Sequence, residues 1–417
     1  MCRIWQALTL SSVLSPMFFN NRHRFSDRFG APGDDMSGGN TISGGDRIRV
    51  LCVTPVGPDG MGGIDRLYFY MRQHVAARGD DGGLEIRYFA SRGPASGLRS
   101  MIAFPGRLLA FLWIMLTQRF DVVHVNFSTH GSALRKWALV SIAKLFGHRV
   151  SVHFHGMVAD EIYQQRPLWF HALVSLCTKA DRIVILGDFF VHEFRDRLGL
   201  PAHKLTVIHN GIPDFAPDLA IPKAANGDRL ILFAGEVGPR KGAGLLLEAL
   251  AMLRRSHQGW RCIIAGNGDI PEYKAMAGML GLKDRLSFTG WVGSDEVHML
   301  MRHADVVVLP SRIEALPLSL IEGACAGAAL VSSNAGASAD VTCEGRNGRV
   351  VPLESEAIAG ALGHLLADPA LLAEMQVESR KIFLERFRIE QFEAALRALL
   401  LELAARPVPV VRAVTAA

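Results

Sequence analysis

The sequence predicts an α/β protein made of two doubly wound domains that face each other across a cleft. Short apolar runs rich in β-branched residues alternate with segments of helical periodicity along most of the 417 residues. That is the pattern of strands buried on both faces of a parallel sheet. A non-periodic stretch rich in Pro, Ala and Asp, 213–228 (PDFAPDLAIPKAANGD), divides the alternation into two series. The length itself suggests two or three domains, and 49% apolar against 20% charged residues can fill two cores.

Residues 1–46 stand apart. They include NNRHRFSDRFGAPGDDMSGGNTISGGD, rich in Gly, Asn, Asp and Ser, and are expected to form a disordered leader with Met36 as a candidate start. The apolar 7–19 is broken by polar residues and Pro16, and no clear small-residue cleavage site follows it. Residues 48–54 (IRVLCVT) read as a strand, 55–64 (PVGPDGMGGI) as a glycine turn containing Gly62 and Gly63, and Asp65 onward as a helix. Strand, glycine turn and helix form a phosphate cradle, although G-x-G-x-x-G is absent; an ordinary tight turn is the competing reading. A strand at 84–90 follows. The apolar 103–117 (AFPGRLLAFLWIMLT) has about ten uninterrupted residues after Arg107, short of the ~20 needed to cross a bilayer, and predicts a buried or interfacial helix.

Next come a strand at 121–126 (DVVHVN) and a helix at 134–146. From Arg99 to Arg149 the cations Arg99, Arg107, Arg119, Arg135, Lys136, Lys144 and Arg149 face one acid, Asp121. Beside Phe111, Trp113 and Trp137 they suggest a membrane-facing patch; solvated charges on amphipathic helices are the alternative. In 149–156 (RVSVHFHG), His153 and His155 share one strand face, so a metal pair is conceivable, but no third ligand is evident. His155 precedes Gly156 at the carboxyl end of a parallel strand, where ligands bind in open α/β sheets. Strands at 181–186 and 205–212 follow, the second ending in the turn Asn210-Gly211.

The second series opens with a strand at 229–234, then 235–244 (GEVGPRKGAG) and a helix at 245–253. Arg240 and Lys241 beside free helix amides make a diphosphate site; exposed basic residues in a loop are the competing reading. Residues 260–269 (WRCIIAGNGD) read as a strand and a glycine turn that includes Gly266, and 285–290 as a strand. The chain is organised around 305–327, DVVVLPSRIEALPLSLIEGACAG. A buried strand leads through 311–316 to Pro317, suited to a first helical turn, and Leu318, Ile321 and Cys325 recur at helical spacing. Glu322 is the lone charge in 318–326, and an unpaired buried carboxylate is costly. It is therefore expected to face a polar ligand or a buried donor. Glu314 lies in the preceding loop, and Glu322 lies about 7–8 Å further along the helix from Pro317. The two could hold opposite ends of an elongated ligand, with a helix amino end between them for an anion. A surface Glu314 and a core Glu322 satisfied by backbone is the alternative. Strands at 330–334 and 349–352, a helix at 356–366 and one helical stretch at 369–401 close the chain.

Glu314 and Glu322 at this spacing, after Pro310-Ser311 and before Gly323-Ala324-Cys325-Ala326-Gly327, resemble the signature of glycosyltransferase family 4. The resemblance implies the GT-B fold: two Rossmann-like domains, an interdomain cleft, and a C-terminal helix that crosses back onto the first domain. The boundaries that follow are 47–213 for the acceptor-side domain, 214–228 for the linker, 229–384 for the nucleotide-sugar domain, 385–405 for the crossover helix and 406–417 for a tail. By the same resemblance Glu314 meets the donor sugar, Glu322 the ribose, His155 the reaction centre, and Gly62 and Gly63 the diphosphate or acceptor. Lys241 and Gly242 match the family's Lys-Gly, while Glu236 stands where an Arg is usual, so Arg240 is expected to supply the lost cation. Ala315, Leu316 and Pro317 replace the usual Gly-Phe-Gly; Leu316, Pro317 and Leu318 complete the donor-binding set. Asn210 and Gly266 are placed on the cleft wall. The implied reaction is retaining, metal-independent transfer of a hexosyl group from a nucleotide-diphospho-sugar to an acceptor hydroxyl, with no cofactor.

A formal charge of +5 and a pI near 9.0 fit an anionic partner. The expected partners are a nucleotide sugar, a glycan or lipid-linked acceptor and an anionic membrane surface, with no nucleic acid. The six cysteines (Cys2, Cys52, Cys177, Cys262, Cys325 and Cys343) form no C-x-x-C pair and suggest a reducing compartment. A cytoplasmic protein, peripheral at the inner face of the cell membrane, is the expectation. No P-loop, D-x-D, HExxH or G-x-S-x-G occurs. Two rivals remain: a nucleotide-sugar epimerase of related fold, and a non-catalytic sugar-nucleotide-binding subunit motivated by Glu236 and the altered loop.

Overall fold

The structure, a computed structural model, describes residues 47–57, 63–79, 82–93, 97–128, 131–157, 167–221 and 227–405. The expectations for 1–46, Gly62 and 406–417 lie outside the described residues. The first sheet comprises β1 (Ile48–Thr54), β2 (Leu84–Ala90), β3 (Val122–Phe127), β4 (Arg149–Phe154), β5 (Arg182–Ile185) and β6 (Leu205–Val207), in the order β2-β1-β3-β4-β5-β6. Its helices are α1 (Gly63–Arg78), α2 (Gly97–Thr117), α3 (Gly131–Leu145), α4 (Pro167–Lys179) and α5 (Asp188–His192). The second sheet comprises β7 (Arg229–Ala234), β8 (Trp260–Ala265), β9 (Leu286–Gly290), β10 (Val306–Leu309), β11 (Ala329–Ser333) and β12 (Gly348–Val351), in the order β12-β11-β10-β7-β8-β9. Among and after these run α6 (Ala243–Ser256), α7 (Ile270–Met279), α8 (Ser294–His303), α9 (Leu318–Cys325), α10 (Ser338–Val341), α11 (Ser355–Ala367), α12 (Pro369–Arg386) and α13 (Ile389–Ala405).

Every strand pairing within the two sheets is parallel. Every residue of β3, β4, β10 and β11 is buried, as the continuous apolar runs require when helices cover both faces. One device recurs at three strand starts. Asp121, Asp181 and Asp305 each stand just before a strand and accept the backbone N–H of Arg49, Val150 and Leu230 at 2.7, 2.7 and 2.8 Å. Each thereby anchors the neighbouring strand. Strand order reverses between β1 and β3 in the first sheet and between β7 and β10 in the second. Such switch points open a crevice at the carboxyl ends of the strands.

Two segments differ from the sequence reading. The helix expected within 103–117 runs unbroken from Gly97 to Thr117, with Pro105 inside it. Arg107 breaks the apolar run but not the helix, and its guanidinium turns back to donate to Ala90 O at 3.0 Å. The stretch Arg99–Thr117 is long and apolar enough to cross a membrane by length and composition alone, which corrects the expectation that it is too short. The single helix expected over 369–401 is two helices. Between α12 and α13 the backbone leaves the helical pattern to bond elsewhere: Ile212 N donates to Phe387 O at 3.0 Å and Ile389 N to Ile212 O at 2.9 Å. There the chain's two passages between the sheets lie side by side. A Cβ at Gly211 would stand 2.5 Å from Arg388 O, so the close approach excludes a larger residue. Beyond it, α13 lays Phe392, Leu396, Leu399, Leu400 and Leu403 into one core with Val50, Leu67, Tyr68 and Val122 of the first domain.

Candidate active site

The loops after β7 and β10 flank the second switch point. Lys241, in a short turn of 3-10 helix, ion-pairs with Glu314, and both side chains are largely buried. Two glycines allow the approach. Gly242 has φ +73°, and a Cβ there would stand 2.0 Å from Pro310 O; at Gly336 (φ +55°) it would stand 1.9 Å from Glu314 O. Position 242 thus seats Lys241 against the β10 loop, and position 336 braces the loop carrying Glu314. Ala337 N donates to Ala315 O at 2.9 Å to complete the brace. Leu316 and Pro317 are buried, and Pro317 stands at the amino end of α9 with Leu318 as its first helical residue. The amino ends of α6 and α9 both open at this switch point, where amide dipoles favour an anion.

Arg240 is exposed and bonded to Glu236 at 2.7 Å. The residue expected to replace the missing cation is tied to the acid that displaced it, and the pair carries no net charge. Gly266 serves packing: a Cβ there would stand 1.8 Å from Gly235 O. The loops after β7 and β8 are laced together by Gly235 N to Ala265 O (2.9 Å) and Val237 N to Asn267 O (2.6 Å).

Glu322 is buried in α9, and burial raises its carboxyl to about 7, partly opposed by Arg66. Arg66 belongs to α1 of the first domain. Its Nη2 lies 3.8 Å from Glu322 Oε1, and its Nε donates to Tyr70 OH at 2.6 Å. The ion-pair partner of Glu322 thus comes from the opposite domain and is only half-buried, at a distance too long for a hydrogen bond. A second link joins the domains at Asp340 of α10, whose Oδ2 accepts from Asp188 N at 3.1 Å and lies 3.1 Å from His209 Nε2.

On the first domain, His155 follows β4 and is partly buried. Its Nε2 lies 2.9 Å from Asn126 Oδ1, while Asn126 Nδ2 donates to Val53 O at 3.2 Å. That amide orientation requires the His155 proton on Nε2. Burial, aided by the nearby His124, holds the ring's pKa down at about 3, so the imidazole is neutral at ordinary pH. Behind it His153 is fully buried, its centroid 3.9 Å from that of His155, and its Nε2 has no hydrogen-bond partner. Tyr68 OH stands 2.7 Å from His124 Nε2 and 3.5 Å from His153 Nδ1. Phe392 of α13 stacks on His153 at 6.2 Å. Among the described residues no cluster of three metal-ligating side chains occurs.

Asn210 is buried with its Oδ1 unpartnered. Gly63 opens α1, is exposed, and nothing described lies within 4 Å of a Cβ built there. Packing therefore does not explain the glycine. Lys241, Glu314, Leu316, Pro317 and Leu318 meet at the second switch point, Glu322 meets the first domain through Arg66, and His155 occupies the first domain's carboxyl edge. Sequence reasoning missed Arg66, Tyr70, Asn126 and Asp340. Asn126 had a legible signal, a polar residue ending the buried run DVVHVN. Arg66 and Tyr70 carried only an i,i+4 spacing.

Comparison with known proteins bears on this arrangement. Residues 43–211 match the model described as "Glycosyl transferase 4-like domain", and residues 215–382 the model "Glycosyl transferases group 1". The chain is 28% identical to a GDP-mannose-dependent alpha-(1-6)-phosphatidylinositol monomannoside mannosyltransferase of Mycolicibacterium smegmatis, over 64% of this chain and 72% of that one. It is 30% identical to a glycogen synthase of Mycobacterium tuberculosis, over 48% of this chain and about half (49%) of that protein's length. In fold it is similar to Anabaena Alr3699/HepE, solved with UDP and glucose, with a TM-score of 0.67, 17% identity, and 85% of this chain and 100% of that one covered. Two parallel six-stranded sheets with this likeness are the two Rossmann-like domains of the GT-B fold. With two adjoining family models spanning most of its length, the chain belongs to the group 1, family 4-like glycosyltransferases of GT-B fold.

Proposed function

We propose that the protein transfers a hexosyl group from a nucleotide-diphospho-sugar to an acceptor hydroxyl, with retention of configuration and without a bound metal. The observation that carries this reading is the Lys241–Glu314 pair at the second switch point, beside two helix amino ends. As a nucleoside diphosphate leaves, negative charge builds on its phosphate oxygens. A fixed ammonium and oriented amides stabilise that charge with little reorganisation. Lys241 then exchanges a carboxylate partner for the phosphate, which frees Glu314 to accept hydrogen bonds from the donor sugar. Glu322 takes the ribose, and Arg66 gives way to it. His155, neutral and oriented by Asn126, stands on the acceptor wall. No side chain is required to act as a nucleophile. With cations and His155 on different domains, closure completes the site.

The acceptor in this reading is a glycan or lipid-linked intermediate of surface polysaccharide assembly. Support comes from the exposed apolar residues of α2 and from the mannosyltransferase relative, whose name specifies a phosphatidylinositol mannoside. A peripheral position at the inner face of the cell membrane follows from the same surface.

A thermal-shift screen with UDP, GDP and ADP hexoses tests the donor half. One nucleotide series should raise the melting temperature, since ligand at 100 times Kd adds about 2.7 kcal/mol. Lys241→Ala should abolish that shift, and nucleoside diphosphate release should need an acceptor. A wild-type chain stabilised by no nucleotide sugar would overturn the reading.

A further inference from the structure

Four cations gather where β1 and β2 end, on the first domain. Lys136 of α3 is only 2% exposed, and its ammonium donates to Ser91 Oγ, which in turn donates to Thr54 O at 2.9 Å. Arg92 is next in the chain, and its buried Nε has no hydrogen-bond partner. Arg107 reaches back from α2 onto the same turn, with Nη1 3.0 Å from Ala90 O. Gly93 (φ +73°) makes room for it: a Cβ there would stand 2.5 Å from Arg107 Nη2. Arg135 adjoins Lys136 on α3 and is partly buried. Among the described residues none of the four is ion-paired to a carboxylate. Asp65 lies near Lys136, but its Oδ1 is engaged by Val56 N at 3.0 Å and Gly57 N at 3.2 Å.

Burying an ammonium is costly when cations outnumber the counter-charges around it, as Arg135, Arg92 and Arg107 do against the single nearby carboxylate of Asp65. Burial first, then Arg135, and less strongly Arg92, lower the Lys136 pKa to about 7, while the Asp65 carboxylate opposes them. The groups facing it are Arg135 on α3, Arg92 and Ser91 after β2, Asp65 on α1 and Cys52 on β1. A purely structural position would be filled more cheaply by an apolar side chain of similar volume. An arriving anion would offset the positive charge that Asp65 leaves unbalanced and favour the protonated lysine.

We propose that this edge of the first domain is a second anion site, which binds a phosphate or diphosphate group of the acceptor. β1 lies two strands from β4 in the sheet, roughly 10 Å at the usual strand spacing. An anion here would stand one or two sugar rings from His155, so an acceptor could anchor its phosphate while its hydroxyl meets the donor. Assigning the anion to the acceptor rests on the transferase reading; the existence of the site does not.

Calorimetric titration of the full chain with inorganic pyrophosphate at pH 6.5 tests the site. Two sites are expected. Lys241→Ala should remove one, and Arg92→Ala with Arg135→Ala should weaken the other by at least about 30-fold, two charge-assisted contacts being lost. Above pH 7 that second affinity should fall, at most about tenfold per pH unit for one coupled proton. Lys136→Met should flatten this slope; if that variant does not fold, the more exposed Arg92 and Arg135 carry the test. In transfer assays the double variant should raise the acceptor KM and leave the donor KM unchanged. Vesicles bearing a phosphomonoester lipid, compared with soluble pyrophosphate, separate a lipid headgroup from a soluble phosphate as the source. Pyrophosphate binding that responds only to Lys241→Ala would overturn the inference. Binding that responds only to the arginine pair would instead overturn the donor reading.

Discussion

Glu322 carries a cost that depends on pH. Burial lifts its carboxyl from 4.5 to about 7, and the Arg66 pair at 3.8 Å offsets only part of that. Between those values the folded chain binds a proton that the unfolded chain has released, so stability falls as pH rises through this window. Below pH 4.5 both states are protonated and nothing is lost. Above pH 7 the full cost is present, about 3 kcal/mol. Glu322→Gln should therefore leave the melting temperature unchanged near pH 4 and raise it at pH 8, on the order of 5–10 °C for a domain of this size. It should also weaken donor binding. Thermal scans at both pH values check this, and an equal shift at each would show that the carboxyl is not held protonated. Glu322 was legible as a lone charge on an apolar helix, as were Lys241 and Glu314 as charges beside helix starts. Their partners were not. Arg66 meets Glu322 from 256 positions away in the chain, and Arg240 meets Glu236 in a turn whose geometry no periodicity encodes.

At the scale of elements, α2 is the helix that the fold does not cover. Met101, Ile102, Leu109, Trp113 and Leu116 are between 59 and 72% exposed, while the buried Phe111 and Met115, with Leu108 and Ile114 packed beside them, anchor its inner face in the core. Leu145, Phe146 and Leu168 extend the apolar surface onto α3 and its loop and onto α4, with Arg99 and Arg119 nearby in the chain. An apolar helix face bordered by cations suits an anionic bilayer, where each large side chain inserted contributes about 1.5–3 kcal/mol. Changing Leu109, Trp113 and Leu116 to Gln removes no core contact. It should leave the melting temperature within about a degree and abolish sedimentation with anionic liposomes at low salt. Retained sedimentation would place the membrane contact elsewhere. The strands of both sheets were legible because a both-face-buried strand is a local pattern. The start of α2 at Gly97 was not, because Pro105 and the polar residues before it hide a helix that runs on to Thr117. The break at Phe387–Arg388 was hidden too, since its hydrogen bonds go to Ile212.

The whole molecule is closed by its last helix. α13 follows the second domain in sequence but supplies Phe392, Leu396, Leu399, Leu400 and Leu403 to the core of the first. Arg78–Glu393 at 3.2 Å and Arg182–Glu402 at 2.8 Å fasten its rim. Five large apolar side chains at about 1.5–3 kcal/mol each amount to roughly 10 kcal/mol, as much as the whole stability of an ordinary domain. The first domain is therefore expected to lose much of its stability without a helix synthesised some 180 residues after β6. Phe392 also stacks on His153, which lies against His155, so the same helix backs the histidine pair at the first domain's carboxyl edge. The second domain draws nothing comparable from α13; its own core is closed by α11 and α12. Truncation after Arg386 should therefore split the molecule's behaviour. Hydrogen exchange should show amides of β1, β3 and β4 losing protection, while β7, β8 and β10 keep theirs and a nucleotide sugar still slows exchange around Lys241. Equal protection of both sheets after truncation would mean that the first core closes without α13, and that His155 owes nothing to the helix behind it.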